Sequence, residues 1–214
     1  MTKQYFPTPI TWELANQKKS TVRKNIIVGV LALQGDFLEH IQTLERLGIT
    51  AKQVKLPEDL ENIQGLIMPG GESTTMANLL DTFGLREPLA QKIQEGMPVW
   101  GTCAGMILLA KKLIQERPIP LGVMDITVNR NAFGRQLDSF EVDLTIKYLD
   151  KPLHATFIRA PLVTEVGKDV EILSKLEDGT IVAVKQNNML GTSFHPELTS
   201  DTRFHEYFLS LIQK

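Results

Sequence analysis

A continuous apolar run near the start of the chain restricts the fold more than any other feature. Residues 26–33 read Ile-Ile-Val-Gly-Val-Leu-Ala-Leu, without polar alternation, which is typical of a strand buried on both faces of a parallel sheet. The run ends at Gln34-Gly35, Asp36 can cap a following helix, and Gly48 can end that helix. The apolar positions of this helix recur at helical spacing and are Phe37, Ile41, Leu44 and Leu47. A strand followed by a helix predicts β-α-β units with parallel neighbouring strands.

The alternation of strand and helix patterns continues to about residue 113, and shorter strands follow. Three further strands are predicted over residues 49–55, 65–68 and 97–100. Helices are predicted over residues 74–80, 85–95 and 106–113. From residue 123 onward the pattern predicts short strands over residues 125–128, 139–147, 153–158, 170–173 and 180–185, and a final helix over residues 202–213. The sequence therefore predicts an α/β fold.

Residues 1–25 differ from the rest of the chain and predict a basic, loosely ordered extension. They carry five lysine or arginine residues against the single acid Glu13, and no continuous apolar core like that of a secretory signal. Residues 26–214 contain no linker-like stretch. We therefore expect one domain over residues 26–214, preceded by the extension.

Composition limits the partners and the compartment. A formal net charge of −2 offers no basic surface for nucleic acid and no reason to expect binding to a membrane. One cysteine allows no disulfide within the chain, which fits a reducing compartment. The expected location is the cytoplasm.

The single cysteine lies in the pattern Gly-x-Cys-x-Gly at residues 101–105, after a strand signal and before a helix signal. This is the cysteine form of the nucleophile elbow, in which a sharp turn exposes a reactive side chain at the carboxyl edge of a sheet. A helix N-terminus favours a nearby negative charge, as on a thiolate. The turn by itself is equally compatible with a non-catalytic Cys103 that serves as a small, buried hydrophobic side chain.

Two other segments offer ligand contacts, each with an ordinary structural alternative. The glycines of Pro69-Gly70-Gly71-Glu72-Ser73 let backbone N–H groups approach an anion, but the segment equally suits a turn that ends in a helix cap. Arg130 and Arg135, in a polar loop, and Arg159, at a strand end, can recognise a carboxylate. Surface arginines are also common.

His195 and Glu197 make a plausible base and orienting carboxylate. The residue before Pro196 favours extended geometry, in which positions i and i+2 point to the same side. A carboxylate beside an imidazole fixes its tautomer and stabilises the imidazolium, while the other ring nitrogen takes a proton from a thiol. The other three histidines are expected to be surface or satisfied residues: His40, His154 and His205.

The order Cys103, His195, Glu197 differs from that of the α/β-hydrolases and resembles the class I, triad-type glutamine amidotransferases. Within that class, residues 26–214 are similar to the glutaminase subunits of pyridoxal 5′-phosphate synthases. The resemblance rests on residues 29–35 with Glu39 and His40, and on residues 69–75, 101–105, 130–136, 157–161 and 193–198. It implies a flavodoxin-like three-layer sandwich with a central, mostly parallel sheet.

The resemblance implies a role for each matching residue. Cys103 would attack the side-chain amide of L-glutamine, His195 would move the proton, and Glu197 would orient His195. Backbone N–H groups of Gly71 and Ala104 would hold the oxyanion. The glutamine site would be lined by Gly71, Glu72, Ser73, Arg130, Ile158 and Arg159. No cofactor and no metal ion are expected.

The resemblance also implies a partner and leaves two alternatives. Ammonia would pass to a (β/α)8-barrel synthase subunit within a hetero-oligomer, and the Gln34-Gly35 turn would lie near the oxyanion hole and contact that subunit. The glutaminase subunit of another amidotransferase pathway would share the fold, but it would not be expected to carry residues 130–136 as they stand here. A non-catalytic binding protein on the same scaffold would be expected to lack a triad residue.

Overall fold

The computed structural model of the protein describes residues 26–130 and 139–213. The basic extension predicted over residues 1–25 lies outside the described residues. So does most of the arginine loop, residues 131–138, including Arg135.

Twelve strands and five α-helices form within the described residues. The strands are β1 (Ile27–Leu31), β2 (Thr50–Val54), β3 (Gly65–Met68), β4 (Val99–Thr102), β5 (Ala110–Leu113), β6 (Met124–Asn129), β7 (Ser139–Leu144), β8 (Leu153–Ile158), β9 (Leu162–Val166), β10 (Glu171–Lys175), β11 (Ile181–Gln186) and β12 (Met189–Thr192). The α-helices are α1 (Phe37–Arg46), α2 (Ser73–Thr82), α3 (Arg86–Gln94), α4 (Ala104–Leu109) and α5 (Arg203–Ile212). Short 3₁₀ helices cover Pro57–Leu60 and Pro196–Leu198.

A ten-stranded sheet in the order β2-β1-β3-β4-β12-β11-β9-β6-β5 forms the centre of the fold, and β10 also pairs with β11. Strands β2, β1, β3, β4 and β12 pair in parallel, as do β5 and β6. The pairings from β12 through β11 and β9 to β6 are antiparallel, and β7 and β8 form a separate hairpin sheet. The α/β class with a mostly parallel sheet, as predicted, is confirmed.

Alternate residues of the central strands enter two separate apolar cores, one on each face of the sheet. Met68 and Val99 pack with side chains of α2 and α3. Ile67 and Trp100 belong to the other core, which includes side chains of α1 and α5. Successive strand side chains point to opposite faces, so β3, β4 and β12 are buried at every position, including the terminal Thr102 and Thr192. The carboxyl ends of β1, β3, β4 and β12 consequently meet at one edge, with helices on both sides.

Three parts of the secondary structure differ from the sequence prediction. The helix expected over residues 106–113 is wrong in its second half, because the chain becomes extended at Ala110 and forms β5, which pairs with β6. Lys111 and Lys112 are exposed between the buried Ala110 and Leu113. Strands β9 and β12 were not predicted. Short apolar runs do not distinguish helix from strand by periodicity, and pairing with neighbouring strands decides the outcome here.

Within the described ranges, no helix is long and apolar enough to cross a membrane.

Candidate active site

Cys103 occupies a strained turn between β4 and α4, as the glycine pattern predicts. Its φ of 46° and ψ of −103° lie in a region that L-residues rarely adopt, and its backbone N–H donates to the carbonyl of Thr192 at 2.8 Å. A Cβ on Gly101 would overlap the backbone of Gly105, and one on Gly105 would overlap the carbonyl of Met68. Both glycines therefore allow the helix to pack tightly against the strands that carry the cysteine.

His195 reaches the same edge because β12 lies beside β4. The two strands are parallel, with Thr192 paired to Thr102, so the residues that follow each strand emerge together. The backbone N–H of His195 donates to the carbonyl of Thr156 at 2.9 Å, which ties this segment to β8. Chain topology thus brings together Cys103 and His195, which are far apart in sequence.

Glu197 contacts His195 as expected, although the backbone path differs from the prediction. Glu197 Oε1 lies 2.8 Å from His195 Nδ1, which confirms that the two side chains share one side. The segment is not extended throughout, since Pro196–Leu198 forms a 3₁₀ turn. The proline starts this turn, and the turn directs the carboxylate back toward the ring.

Hydrogen bonds and charge interactions favour the imidazolium form of His195 despite its burial. Burial lowers the pKa of His195, but its hydrogen bonds and charge interactions with Cys103 and Glu197 outweigh burial and raise the pKa to about 10. Burial raises the pKa of Glu197, against the opposing effect of His195. A positive ring between a thiol and a carboxylate is suited to holding the thiolate as an ion pair.

Asp36 is a residue at this site that the sequence analysis assigned to another role. It stands at the N-cap position of α1, but its side chain makes no capping hydrogen bond, and its Oδ2 lies 3.6 Å from His195 Nδ1. Burial raises the pKa of Asp36, and the charge of His195 opposes that rise. The carboxyl end of β1 at the same sheet edge was the only available signal for this placement.

One cavity of about 360 Å³ opens at this edge and contains the predicted site residues. Cys103 and His195 lie in its wall together with Asp36 and Ile107. All six residues predicted to contact glutamine line it as well: Gly71, Glu72, Ser73, Arg130, Ile158 and Arg159. The structure thus brings these residues together, and their roles in binding glutamine stay predictions.

The Gly70-Gly71 turn packs against both the triad and the Gln34-Gly35 turn. A Cβ on Gly70 would overlap the Cε1 atom of His195, and one on Gly71 would lie 2.6 Å from Gln34 Oε1. Gly71 has a φ of 153°, which favours glycine. Gln34 Oε1 also accepts a 2.7 Å hydrogen bond from the backbone N–H of Glu72. The Gln34-Gly35 turn therefore contacts Gly71, and the place of Gly71 in an oxyanion hole stays a prediction.

Glu72 caps helix α2 and also faces the cavity. Its carboxylate accepts backbone hydrogen bonds from Thr74 at 3.1 Å and Thr75 at 2.7 Å. Burial raises the pKa of Glu72, but these hydrogen bonds and that of the Thr75 hydroxyl outweigh it, so the pKa lies below its usual value. Arg130 reaches the same carboxylate at 3.4 Å and Thr74 Oγ1 at 3.2 Å. The helix-cap alternative for this segment therefore holds, and the binding of an anion by its backbone N–H groups stays a prediction.

The other three histidines divide into one surface residue and two buried ones. His154 is exposed and contacts Asp143 and Glu141, as expected of a surface residue. His40 and His205 are completely buried, and His40 Nε2 lies 3.4 Å from Glu197 Oε2. Burial behind the triad was not predicted, because helical spacing alone does not reveal what a helix packs against.

The chain is similar to known glutamine amidotransferases, both as a family and as individual proteins. Residues 30–214 match the SNO glutamine amidotransferase family. A pyridoxal 5′-phosphate synthase subunit PdxT of Dehalococcoides mccartyi is 59% identical over 187 residues, which are 86% of this chain and 96% of the relative. The protein of the same name from Corynebacterium jeikeium is 56% identical over 191 residues, 88% of this chain and 98% of the relative.

Solved structures agree with the predicted fold class. A crystal structure of a glutamine amidotransferase has 49% identity and a TM-score of 0.83, covering 87% of this chain and 99% of that chain. The structure of PurLQS from Thermotoga maritima has 18% identity and a TM-score of 0.62, covering 89% of this chain and 98% of that chain. The second similarity concerns the fold alone. The class I amidotransferase fold is confirmed.

Proposed function

Because the chain belongs to the SNO glutamine amidotransferase family, we propose that Cys103, His195 and Glu197 are the triad with which it hydrolyses L-glutamine. The protein acts as the glutaminase subunit of pyridoxal 5′-phosphate synthase, and the ammonia it releases serves vitamin B6 biosynthesis. The observation that carries the assignment of the triad is the 2.8 Å contact of Glu197 with His195, beside Cys103 in one cavity wall.

The reaction proceeds through a glutamyl thioester. His195 Nε2 takes the thiol proton of Cys103 before the attack, the thiolate attacks the side-chain amide carbon of glutamine, and His195 gives the proton to the departing ammonia. A water molecule, deprotonated by His195, then attacks the thioester carbon and releases glutamate, which returns one proton to the Cys103–His195 pair. Throughout, Glu197 accepts the Nδ1–H of His195 and keeps Nε2 directed at the sulfur.

The tetrahedral intermediates are stabilised by backbone N–H groups of Gly71 and Ala104. Loss of one such donor costs about 2.7–4 kcal/mol of transition-state stabilisation. The glycine-specific φ of Gly71 and the position of Ala104 directly after the elbow support this pairing. The contact between Gln34 and the Glu72 backbone makes the Gln34-Gly35 turn the element through which a partner can act on the oxyanion hole.

The charges around the cavity match those of a zwitterionic amino acid. Arg130 and Arg159 supply positive groups for an α-carboxylate, and Glu72 supplies a negative group for an α-ammonium. Gly71, Ser73 and Ile158 complete the wall. The lowered pKa of Glu72 keeps its carboxylate ionised at neutral pH.

The protein works with a synthase subunit, which uses the ammonia. We propose that this subunit is a (β/α)8 barrel, that the two form a hetero-oligomer, and that residues 26–214 act as one domain preceded by a basic extension. A cytoplasmic location is part of the proposal. It is supported by the single cysteine, which fits a reducing compartment.

The test is release of glutamate and ammonia from L-glutamine by the full chain, with and without the synthase subunit. We expect turnover in the complex, and Cys103→Ala is expected to abolish it while glutamine still binds. Folded protein that releases neither product in either condition would refute the proposal. Turnover that depends on a different acceptor enzyme would instead assign the protein to another amidotransferase pathway.

A further inference from the structure

We infer that His40 is a positioning residue of this active site: its neutral imidazole donates Nε2–H to Glu197 and holds the carboxylate that orients His195. The inference rests on the proposed triad and adds a fourth side chain behind it.

The second carboxylate oxygen of Glu197, Oε2, requires a hydrogen-bond donor because it is buried. Oε1 accepts from His195, whereas Oε2 is buried and makes no hydrogen bond of ordinary geometry within residues 26–130 and 139–213. His40 Nε2 lies 3.4 Å from it. Hydrogen bonds of a catalytic site are often long in the free enzyme and shorten in the reacting complex. His40 is therefore placed to complete the set of hydrogen bonds on Glu197.

The surroundings of His40 determine its tautomer. His40 Nδ1 lies 3.0 Å from His205 Nε2, and this contact requires one proton between the two nitrogens. If that proton were on His40 Nδ1, the lone pair of His40 Nε2 would face the carboxylate of Glu197, which is repulsive. The favourable arrangement has Nε2–H on both rings, with His205 donating to His40 and His40 donating to Glu197.

Both rings stay neutral at physiological pH, as this arrangement requires. Burial lowers the pKa of His40 well below its usual value, and the charges of His205 and His195 add to the effect. Burial lowers the pKa of His205 to about 3, assisted by the charge of Arg46. One proton per ring remains, so the direction of donation is set.

Three elements hold the His40 ring in place. His40 comes from α1 and His205 from α5, while Trp100 of β4 packs edge-on against both rings, with centroid distances of 5.4 and 4.9 Å. The Trp100 N–H is directed elsewhere, to Thr192 Oγ1 at 3.1 Å. Thr102 Oγ1 lies 3.3 Å from His40 Nε2, and the charged carboxylate is the stronger acceptor of the two.

Substitutions at His40 distinguish the effect of losing its hydrogen bond to Glu197 from the effect of losing packing. The amide nitrogen of glutamine is as many bonds from Cα as Nε2 of histidine, and that of asparagine matches Nδ1. His40→Gln therefore keeps a donor facing Glu197, whereas His40→Asn and His40→Leu do not. In the complex with the synthase subunit, we expect the latter two to lower kcat for glutamine hydrolysis about 10- to 100-fold, the range found for hydrogen-bond partners behind metal-ligating side chains, with little change in KM. His40→Gln is expected to restore most of the loss.

The pH profile is a second readout, which a purely structural role would not change. The charge of Glu197 helps to raise the pKa of His195, so a poorly held carboxylate lowers that pKa. The alkaline limb of kcat/KM is expected to move to lower pH in His40→Asn and to stay near its native position in His40→Gln. The charged or titratable groups around this centre are Cys103, Glu197, His195, His205, Asp36, Glu39 and Arg46.

Equal impairment of His40→Gln and His40→Asn, with both proteins folded, would overturn the inference in favour of packing. Native kcat in His40→Leu would also overturn it. Nitrogen-15 NMR of the native full chain gives a result independent of activity: a proton on Nε2 of His40 is expected, and one on Nδ1 would refute the arrangement. Since this measurement needs no turnover, it distinguishes failure of the inference from failure of the proposed function.

Discussion

Replacing Glu197 by glutamine tests the electrostatic role of the triad carboxylate with almost no change in shape. Glu197 is 4% exposed and contacts His195 Nδ1 at 2.8 Å. The pKa of His195 rises from 6.5 to about 10. At 1.36 kcal/mol per pH unit, this is about 5 kcal/mol of net stabilisation of the imidazolium, which Glu197 shares with Cys103.

A share on the order of 2 kcal/mol for Glu197 corresponds to a loss of about 30-fold in kcat. Glutamine also permits the wrong tautomer of His195, and in the serine-protease triad the corresponding change lowers kcat about 10⁴-fold. We therefore expect Glu197→Gln to lower kcat between about 30- and 10⁴-fold, with KM nearly unchanged.

The assay is steady-state glutamate release by the complex with the synthase subunit, with circular dichroism and binding to that subunit as checks on folding. Glu87→Gln, on α3 and exposed, is a matched control expected to leave kcat within about two-fold, since surface changes are usually small. A loss of less than ten-fold in a folded Glu197→Gln protein would show that the carboxylate does not carry the stabilisation assigned to it.

Three further perturbations follow from particular contacts. Gly70→Ala places a Cβ against the ring of His195, so kcat should fall at least about ten-fold by displacement of the base. Gly179→Ala, with open space around the new Cβ, should leave kcat unchanged and cost about 1 kcal/mol in the free energy of unfolding. Equal kcat in the two variants would contradict this expectation. Arg130→Met removes a guanidinium from the cavity wall and should raise KM for glutamine about 10- to 100-fold, the value of one hydrogen bond to a charged group, and an unchanged KM would remove Arg130 from the binding site. The folded-state pKa of His205 is lowered from 6.5 to about 3, so its contribution to stability is complete above pH 6.5 and is lost as the pH falls toward 3. In urea unfolding, His205→Gln should therefore reduce the slope of the free energy of unfolding between pH 6 and pH 4 by about 1.4 kcal/mol per pH unit, and an unchanged slope would argue against a neutral buried ring.

Local signals predicted the elbow and most of the elements. The two glycines around Cys103 are needed because the backbone of Gly105 and the carbonyl of Met68 lie where their Cβ atoms would be, and such a requirement is visible in the sequence. Strand β8 has the bounds that the pattern predicts, because alternate positions from Leu153 to Ile158 are buried and open to solvent.

Pairing between distant strands decided the elements that the sequence analysis missed. Strand β12 is only four residues long, and hydrogen bonds with β4 on one side and β11 on the other hold it extended. The same is true of β5, whose residues follow α4 in one apolar run and become a strand because β6 lies beside them. No local pattern carries the information that such a neighbour exists.

The sequence by itself determined the types of the proposed reacting groups, their order along the chain and the turns that present them, because these depend on side-chain chemistry and on local backbone sterics. Only the tertiary structure decided what surrounds those groups. His40 and His205, on separate helices, meet behind Glu197, and Asp36 turns from its helix toward His195. Burial and charge at the triad are sums over neighbours from the whole chain, and chain topology alone brings those neighbours to one edge of the sheet.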